Sequence, residues 1–442
     1  TRAPWSEVDS LPRIPSLPLS YATAKQLLAL TQGRGVRAEE VRPRFGGEIP
    51  GAEYWTGPSA LRVSMSNGMR HATRDVWNVY AVIPGRIDDE RIMVGNHRDA
   101  WVFGAGDPAS GTAVMHELAR GLGALLATGW RPQRTIVLAS WDAEEYGLVG
   151  STEFGEDYAP FLSRHVAMYH NLDMAVKGSQ LEASGSPSLA RLLRGVAASV
   201  PDPHVPGARL RLDRVAPLGS GSDYTVFLQH LGIPSTDVSF RRTETDPVYH
   251  YHSNYDSFTW MDKWGDPGFA RHEAMARLLG LLVLRSADAP FLPIHTPDMA
   301  AQLWDAYREL RRIAPRAAAP WAQLEAALRR VQDAAAQLHR TQRELEASGE
   351  ARGSLEPPRV RAVNARLQRV EQGFLDPAGL VQRPWFRHLG VAPGRWLGYG
   401  ATTLPGLTES ITLDDGAHAA RELRRLVAAL DRVAATMSRG TL

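Results

Sequence analysis

The chain has 442 residues with 50 Lys plus Arg against 48 Asp plus Glu, long enough for roughly two or three domains and too balanced in charge to point to nucleic acid. It has no cysteine, which excludes disulfides, thiolate metal sites and cysteine nucleophiles and leaves any metal to His, Asp and Glu. No apolar run approaches the ~18 residues of a membrane span, Leu278–Leu284 being among the longest.

The chain opens at Thr1 with neither Met nor a charged-then-apolar leader, as a processed product or a fragment would. Its basic residues are nearly all Arg, with lysine only at Lys25, Lys177 and Lys263, a bias of composition rather than of function. To about residue 290, short apolar runs alternate with helical patterns, the mark of an α/β layer architecture. Strands are predicted within Val76–Pro84, Arg91–His97, Arg134–Trp141 and Val166–Asp173. Between the second and third lies a helix over 110–129, where Val114, Leu118, Leu122 and Leu125 recur every three or four residues.

After Arg285–Pro293 the character changes to amphipathic helices. One is carried by Leu324, Leu328, Val331 and Leu338, a second by Val360, Val363, Leu367, Val370 and Phe374, and a third by Leu423, Leu426, Leu430, Val433 and Met437. Glu344–Pro358 reads as a polar connector. Two domains are therefore expected, 1–290 as the α/β part and 291–442 as a helical part.

The chemistry gathers at the predicted strand ends. The stretch SWDAEEYGLVGS (Ser140 to Ser151) runs from an apolar strand into Asp142, Glu144 and Glu145, and carboxylates near a buried strand need either water or a cation. His97, Asp107, Glu145 and Asp173 each stand at or just after the C-terminal end of a predicted strand, the edge at which open α/β sheets build sites. DPVYHYHSNYDSF (Asp246 to Phe258) offers His250 or His252 to complete the set. Two His and several carboxylates without Cys suit two zinc-like ions sharing a carboxylate, since five ligands exceed a four-coordinate catalytic site with an open position. The HExxH signature is absent, and His116 reads as an ordinary helix residue.

These blocks, together with HRDAWVFGAGDPASG, LGSGSDYTVFLQHLGIP, FLDPAGLVQRPWFRHLGVAP and LPGLTESI, resemble in order the glutamate carboxypeptidase II and transferrin receptor family, within the wider class of co-catalytic zinc aminopeptidases. The resemblance implies a zinc-peptidase three-layer sandwich with a mixed central sheet and a C-terminal helical dimerisation domain. It implies a zinc-dependent exopeptidase acting on small peptides, two Zn2+ and a homodimer. By resemblance the compartment is extracellular, membrane-anchored or vacuolar, and the apical domain, the first protease-domain strands and any anchor lie upstream of residue 1.

Residue by residue, His97, Asp107, Glu145, Asp173 and His252 match zinc ligands, with Asp107 bridging. Glu144 matches the general base and Tyr251 a group placed to hydrogen-bond the oxyanion or a substrate carboxylate. Asp99 would orient His97 from behind, His250 has no counterpart, and Glu153 with Glu156 match carboxylates of a structural calcium site. Gly221, Ser222 and Tyr399 fall at substrate-binding positions. There the pattern departs from the family: Gly398 stands where a lysine is expected, Ser222 where an asparagine is, and Glu182, Asp237 and Ser239 where an arginine patch would favour acidic peptides. Aminopeptidase or dipeptidase action on neutral or basic peptides is the resulting expectation, with Glu182 and Asp237 favouring a free α-amine. The alternatives are a glutamate carboxypeptidase and a non-catalytic, receptor-like protein of the same fold.

Overall fold

The computed structural model describes residues 5–8, 14–43, 46–58, 60–70, 72–313, 321–351, 357–413 and 415–438. Two compact units result, Thr1–Asp75 and Val76–Leu442. In the first, helix α1 (Tyr21–Thr31) is capped by Ser20, whose hydroxyl accepts from Thr23 N at 3.2 Å, and it buries no residue. A short helix α2 (Ala38–Val41) follows, next to an antiparallel bridge between Arg37 and Trp55.

The second unit is organised around a seven-stranded mixed sheet. Its strands are β1 (Val79–Ile83), β2 (Ile87–His97), β3 (Arg134–Trp141), β4 (Val166–Asn171), β5 (Gln180–Gly185), β6 (Val215–Ala216) and β7 (Ser235–Arg241), in the spatial order β1-β3-β2-β4-β7-β5-β6. The central strands β3, β2, β4 and β7 are parallel, while β1 and β5 run antiparallel to their neighbours β3 and β7. Buried on both faces, β3 and β4 read as continuous apolar runs rather than alternating ones. Ile92, Val94, Ile136 and Leu138 join the core on one face; Met93, Val137, Ala139, Trp141 and Tyr169 join that on the other.

The first face is covered by α3 (Ala109–Ala127), while α4 (Val149–Asp157) and α5 (Ala159–His165) bring Phe154 and Leu162 to the second; α6 (Ala190–Ala197) packs on the first. A three-residue turn of helix, α7 (Phe258–Trp260), precedes α8 (Ala270–Asp288), which packs beside α3. In α3, Val114, Leu118 and Leu122 are buried as the periodicity predicts, but Leu125 is 37% exposed, the next position of the four-residue stripe being the half-buried Leu126.

The helical part comprises α9 (Thr296–Ile313), α10 (Trp321–Ala347), α11 (Pro358–Arg369), α12 (Pro405–Thr412) and α13 (Gly416–Ser438), with a small antiparallel pair, β8 (Val391–Pro393) and β9 (Ala401–Thr403). Every apolar residue that marked the three predicted helices is buried, and all belong to the same core cluster as the first sheet face. Helix α10 runs to Ala347, four residues into the stretch expected as a connector, and 352–356 lie outside the described residues.

Buried Arg134 ties the start of β3 to the end of α8. Its guanidinium pairs with Glu90 and donates to the carbonyls of Ser286, Ala289 and Pro290, at the end of α8.

Candidate metal centre

Parallel strands deliver their C-terminal ends to one rim, and four of them carry the chemistry. His97 is the last residue of β2 and is 1% exposed. Its Nε2 lies 3.0 Å from Asp173 Oδ1, two residues beyond β4, and 3.2 Å from Asp107 Oδ1. Glu144 Oε2 is 3.9 Å from the same nitrogen. On the other side of Asp107, His252 Nε2 stands 3.1 Å from Asp107 Oδ2 and 3.2 Å from Glu145 Oε2. Asp107 thus lies between two imidazoles, each with its own second carboxylate.

The loops are held by backbone bonds. Asp99 accepts the amide hydrogens of both Glu144 and Glu145 at 3.1 Å, while its own carbonyl meets His97 Nδ1 at 2.9 Å. The expected orienting contact to His97 comes mainly from this carbonyl, the Asp99 carboxylate lying 3.6 Å from Nδ1. Asp142 is structural: it accepts from Trp77 N and from its own neighbour Ala143 N. Asp256 accepts from Gly106 N at 2.6 Å and Asp107 N at 3.0 Å, and Tyr249 donates to it at 2.9 Å. Sequence reasoning missed Asp256, although it lies four residues after His252.

The electrostatics are those of an uncompensated anionic cluster. Burial pushes the Glu144 carboxyl up to about 10, helped by the charges of Asp173 and Asp223. Glu145 is pushed up to about 7 by burial and then by Asp107. Burial works against a charged His97, but Asp107, Asp173 and Asp99 outweigh it and hold the imidazolium well above its usual range. Asp107 Oδ1 is buried and receives no hydrogen bond. Asp223, also missed, is buried with neither oxygen bonded, and burial pushes it up to about 7.

Among the described residues, two groups have the spacing to hold a metal ion: His97, Glu144 and Asp173, and His97, Asp107 and Glu145. An orphaned buried carboxylate oxygen, hard oxygen donors and imidazole nitrogens form a donor set that fits divalent zinc. Glu153 and Glu156 are in neither group; they sit one turn apart on α4, and Glu156 Oε1 accepts from the Trp385 indole at 2.6 Å.

The substrate-side residues also converge. The Tyr251 ring stacks on His252 with centroids 3.6 Å apart, and its hydroxyl is 3.4 Å from that of Tyr399. Gly221, at φ 97°, lies under the Tyr399 ring, where a Cβ would fall 2.1 Å from Cδ1. Ser222 accepts from Asn171 Nδ2 at 2.9 Å. Glu182 is held by Arg241 through two contacts of 2.9 and 3.1 Å, and Asp237 accepts from Asn171 at 3.0 Å, with burial pushing it up to about 7. The two acids expected to attract an α-amine are therefore already engaged. His116 is exposed on α3, and His250 is exposed with its ring against Tyr255.

Comparison with known proteins gives consistent matches. Residues 78–270 match the model of peptidase family M28, and 320–438 match the transferrin receptor-like dimerisation domain. A probable glutamate carboxypeptidase of Arthroderma benhamiae is 38% identical over 425 residues, covering 92% of this chain and 57% of that protein. Aminopeptidase NAALADL1 of Rattus norvegicus is 33% identical over 476 residues, covering 97% of this chain and 62% of that protein. The chain thus spans little more than half the length of the curated relatives it matches. A zinc aminopeptidase from Bacillus subtilis aligns at a TM-score of 0.39 and 23% identity, covering 48% of this chain and 50% of that one.

Proposed function

Taking as premise that the chain joins a peptidase family M28 domain to a transferrin receptor-like dimerisation domain, we propose that it is a dizinc exopeptidase acting on short peptides. The observation that carries this reading is the buried Asp107 carboxylate, flanked by His97 and His252 with one oxygen unbonded. In this reading His97 and Asp173 hold one ion, Glu145 and His252 the other, and Asp107 both. Two zinc ions supply electrophilic catalysis, polarising the scissile carbonyl and acidifying water toward a pKa of ~7.

The chain's own residues do the rest. Glu144 takes a proton from the attacking water on its carboxylate and passes it to the departing amine. Asp99 keeps the adjacent acids apart in role by fixing both their amides. The Tyr251 hydroxyl, beside that of Tyr399, is placed to donate to an oxyanion or to a substrate carboxylate. Glu153 and Glu156 would supply two ligands to a structural calcium, provided Trp385 releases Glu156. The division into 1–290 for catalysis and 291–442 for dimerisation belongs to the same reading, as does a homodimer in an extracellular or vacuolar compartment.

Aminopeptidase or dipeptidase action follows from the lack of cations at Gly398, Ser222, Glu182, Asp237 and Ser239. Carboxypeptidase action on acidic peptides is the second reading, favoured by one observation. Glu182 is matched by Arg241, and Lys177, whose charge bears on Asp173 and Asp237, has no ion-pair partner among the described residues. Elemental analysis beside kcat/KM for free-amine neutral dipeptides and for an N-blocked acidic dipeptide tests both. Zinc near two per chain with hydrolysis of the free-amine set supports the first reading, and preference for the blocked acidic substrate establishes the second. A protein that binds no zinc and cleaves neither would be the non-catalytic alternative.

A further inference from the structure

Away from the metal centre, a cavity of about 310 Å3 opens where α6, the end of α8 and α10 meet. That is the lower part of the size range of small-molecule sites. Its floor is apolar, from Leu192, Phe291 and Ile294. Its walls carry Arg191, Arg285, His295 and His339.

These groups are poorly matched by carboxylates. Arg285 donates to Ser199 Oγ at 2.7 Å and has no ion-pair partner among the described residues. Arg191 reaches Asp298 only at 3.8 Å. Asp298 stands closer to His295, 2.8 Å from its Nδ1, which orients that ring and leaves its Nε2 without a hydrogen bond. His339 meets His295 edge-on, with centroids 4.8 Å apart. Glu346 is the one carboxylate in the lining. Gln342, 8% exposed, also lines the cavity, but its Oε1 is enclosed on the far side of the wall.

We propose that this cavity binds a small phosphorylated ring compound, such as a sugar phosphate. The two guanidiniums and the imidazoles take the phosphate, and the apolar floor receives the ring. Arginine suits this task because its planar fork matches phosphate oxygens two at a time. The ligand would cross-link α6 and α8 of the sheet-bearing part to α10 of the helical part, so the expected effect is on stability and not on the chemistry at the rim.

The test uses the zinc-loaded full-length protein with ribose 5-phosphate, inorganic phosphate and sodium chloride at matched ionic strength, read by calorimetry and thermal unfolding. Ribose 5-phosphate is expected to bind saturably and raise the Tm. The Arg191→Gln/Arg285→Gln double variant should weaken it at least ~10-fold, in keeping with the loss of charge-assisted bonds. Dipeptide hydrolysis without the ligand should be unchanged in the double variant, which also shows that it folds. A Tm shift matched by chloride, or binding untouched in the double variant, overturns the proposal. Inorganic phosphate binding as tightly as ribose 5-phosphate overturns the assigned ligand class.

Discussion

Glu144 and Glu145 are neighbours in the chain with different surroundings, and that difference sets what each substitution should do. Glu145 lies against His252, with Trp101 N on its other oxygen, whereas Glu144 points toward His97 and Asp173 and is the more deeply desolvated. Glu144→Gln should keep zinc bound and lower kcat by ~10²–10⁴-fold, the usual worth of a positioned base. Glu145→Ala should lose zinc; equal zinc loss in both variants, measured by elemental analysis, would reverse the assignment. The same residues predict a pH effect on the metal-free protein. Glu144 and Glu145, ordinarily at 4.5, are raised to about 10 and about 7, and His97 is raised as well. The folded chain then holds more protons than the unfolded one from about pH 4.5 to about 10, so its stability falls as pH rises through that window. Zinc, which binds the deprotonated set, should cancel the trend. Thermal unfolding of EDTA-treated protein should therefore give a higher Tm near pH 5.5 than near pH 8.5, and a flat profile would contradict this account.

At the scale of elements, the chemistry sits at one end of the parallel strands and the mechanical tie at the other. Arg134 opens β3 and holds three carbonyls at the end of α8 besides Glu90. Arg134→Met breaks the buried pair with Glu90 and frees three carbonyls at the end of α8, and should cost ~3–5 kcal/mol by urea unfolding. Zinc per folded chain should not change, because the ligands lie at the far end of the strands; zinc loss without destabilisation would refute this separation. What the sequence disclosed follows the same division. The strands β1 to β4 were legible because uninterrupted apolar runs end in polar residues, and His97, Asp107, Glu145 and Asp173 were legible because they follow those ends. The clamp from Asp256 to Gly106 and Asp107 was not, since backbone amides leave no pattern in a sequence. Nor was the left-handed backbone at Ala143 and His252 (φ 55° and 54°), where no glycine advertises the turn. Strands β8 and β9, three residues each, are too short for periodicity.

For the whole molecule, the open matter is what the helical part presents to a second copy. An amphipathic reading assigns its three apolar faces in part to a partner, but Leu324, Leu328, Val331, Leu423, Leu430 and Val433 are each at most 1% exposed within the single chain. The case for a dimer therefore rests on the match of 320–438 to a dimerisation domain, not on spare apolar helix surface. Among described residues of that region, the exposed large apolar side chains are Trp396, Leu397, Tyr399 and Leu413. Three of these lie in the loop between β8 and β9, and that loop also brings the Tyr399 hydroxyl to Tyr251 beside His252. A partner covering Trp396 and Leu397 would steady the loop that carries Tyr399, so assembly and substrate binding should be coupled. The full-length protein is expected to sediment as a dimer at micromolar concentration. Trp396→Ala/Leu397→Ala should shift it toward monomer and raise KM for dipeptides several-fold (roughly 1 kcal/mol of binding), with zinc content unchanged. A wild-type monomer would remove the dimer, and a monomeric variant with unaltered KM would show that Tyr399 is held in place without help from a second subunit.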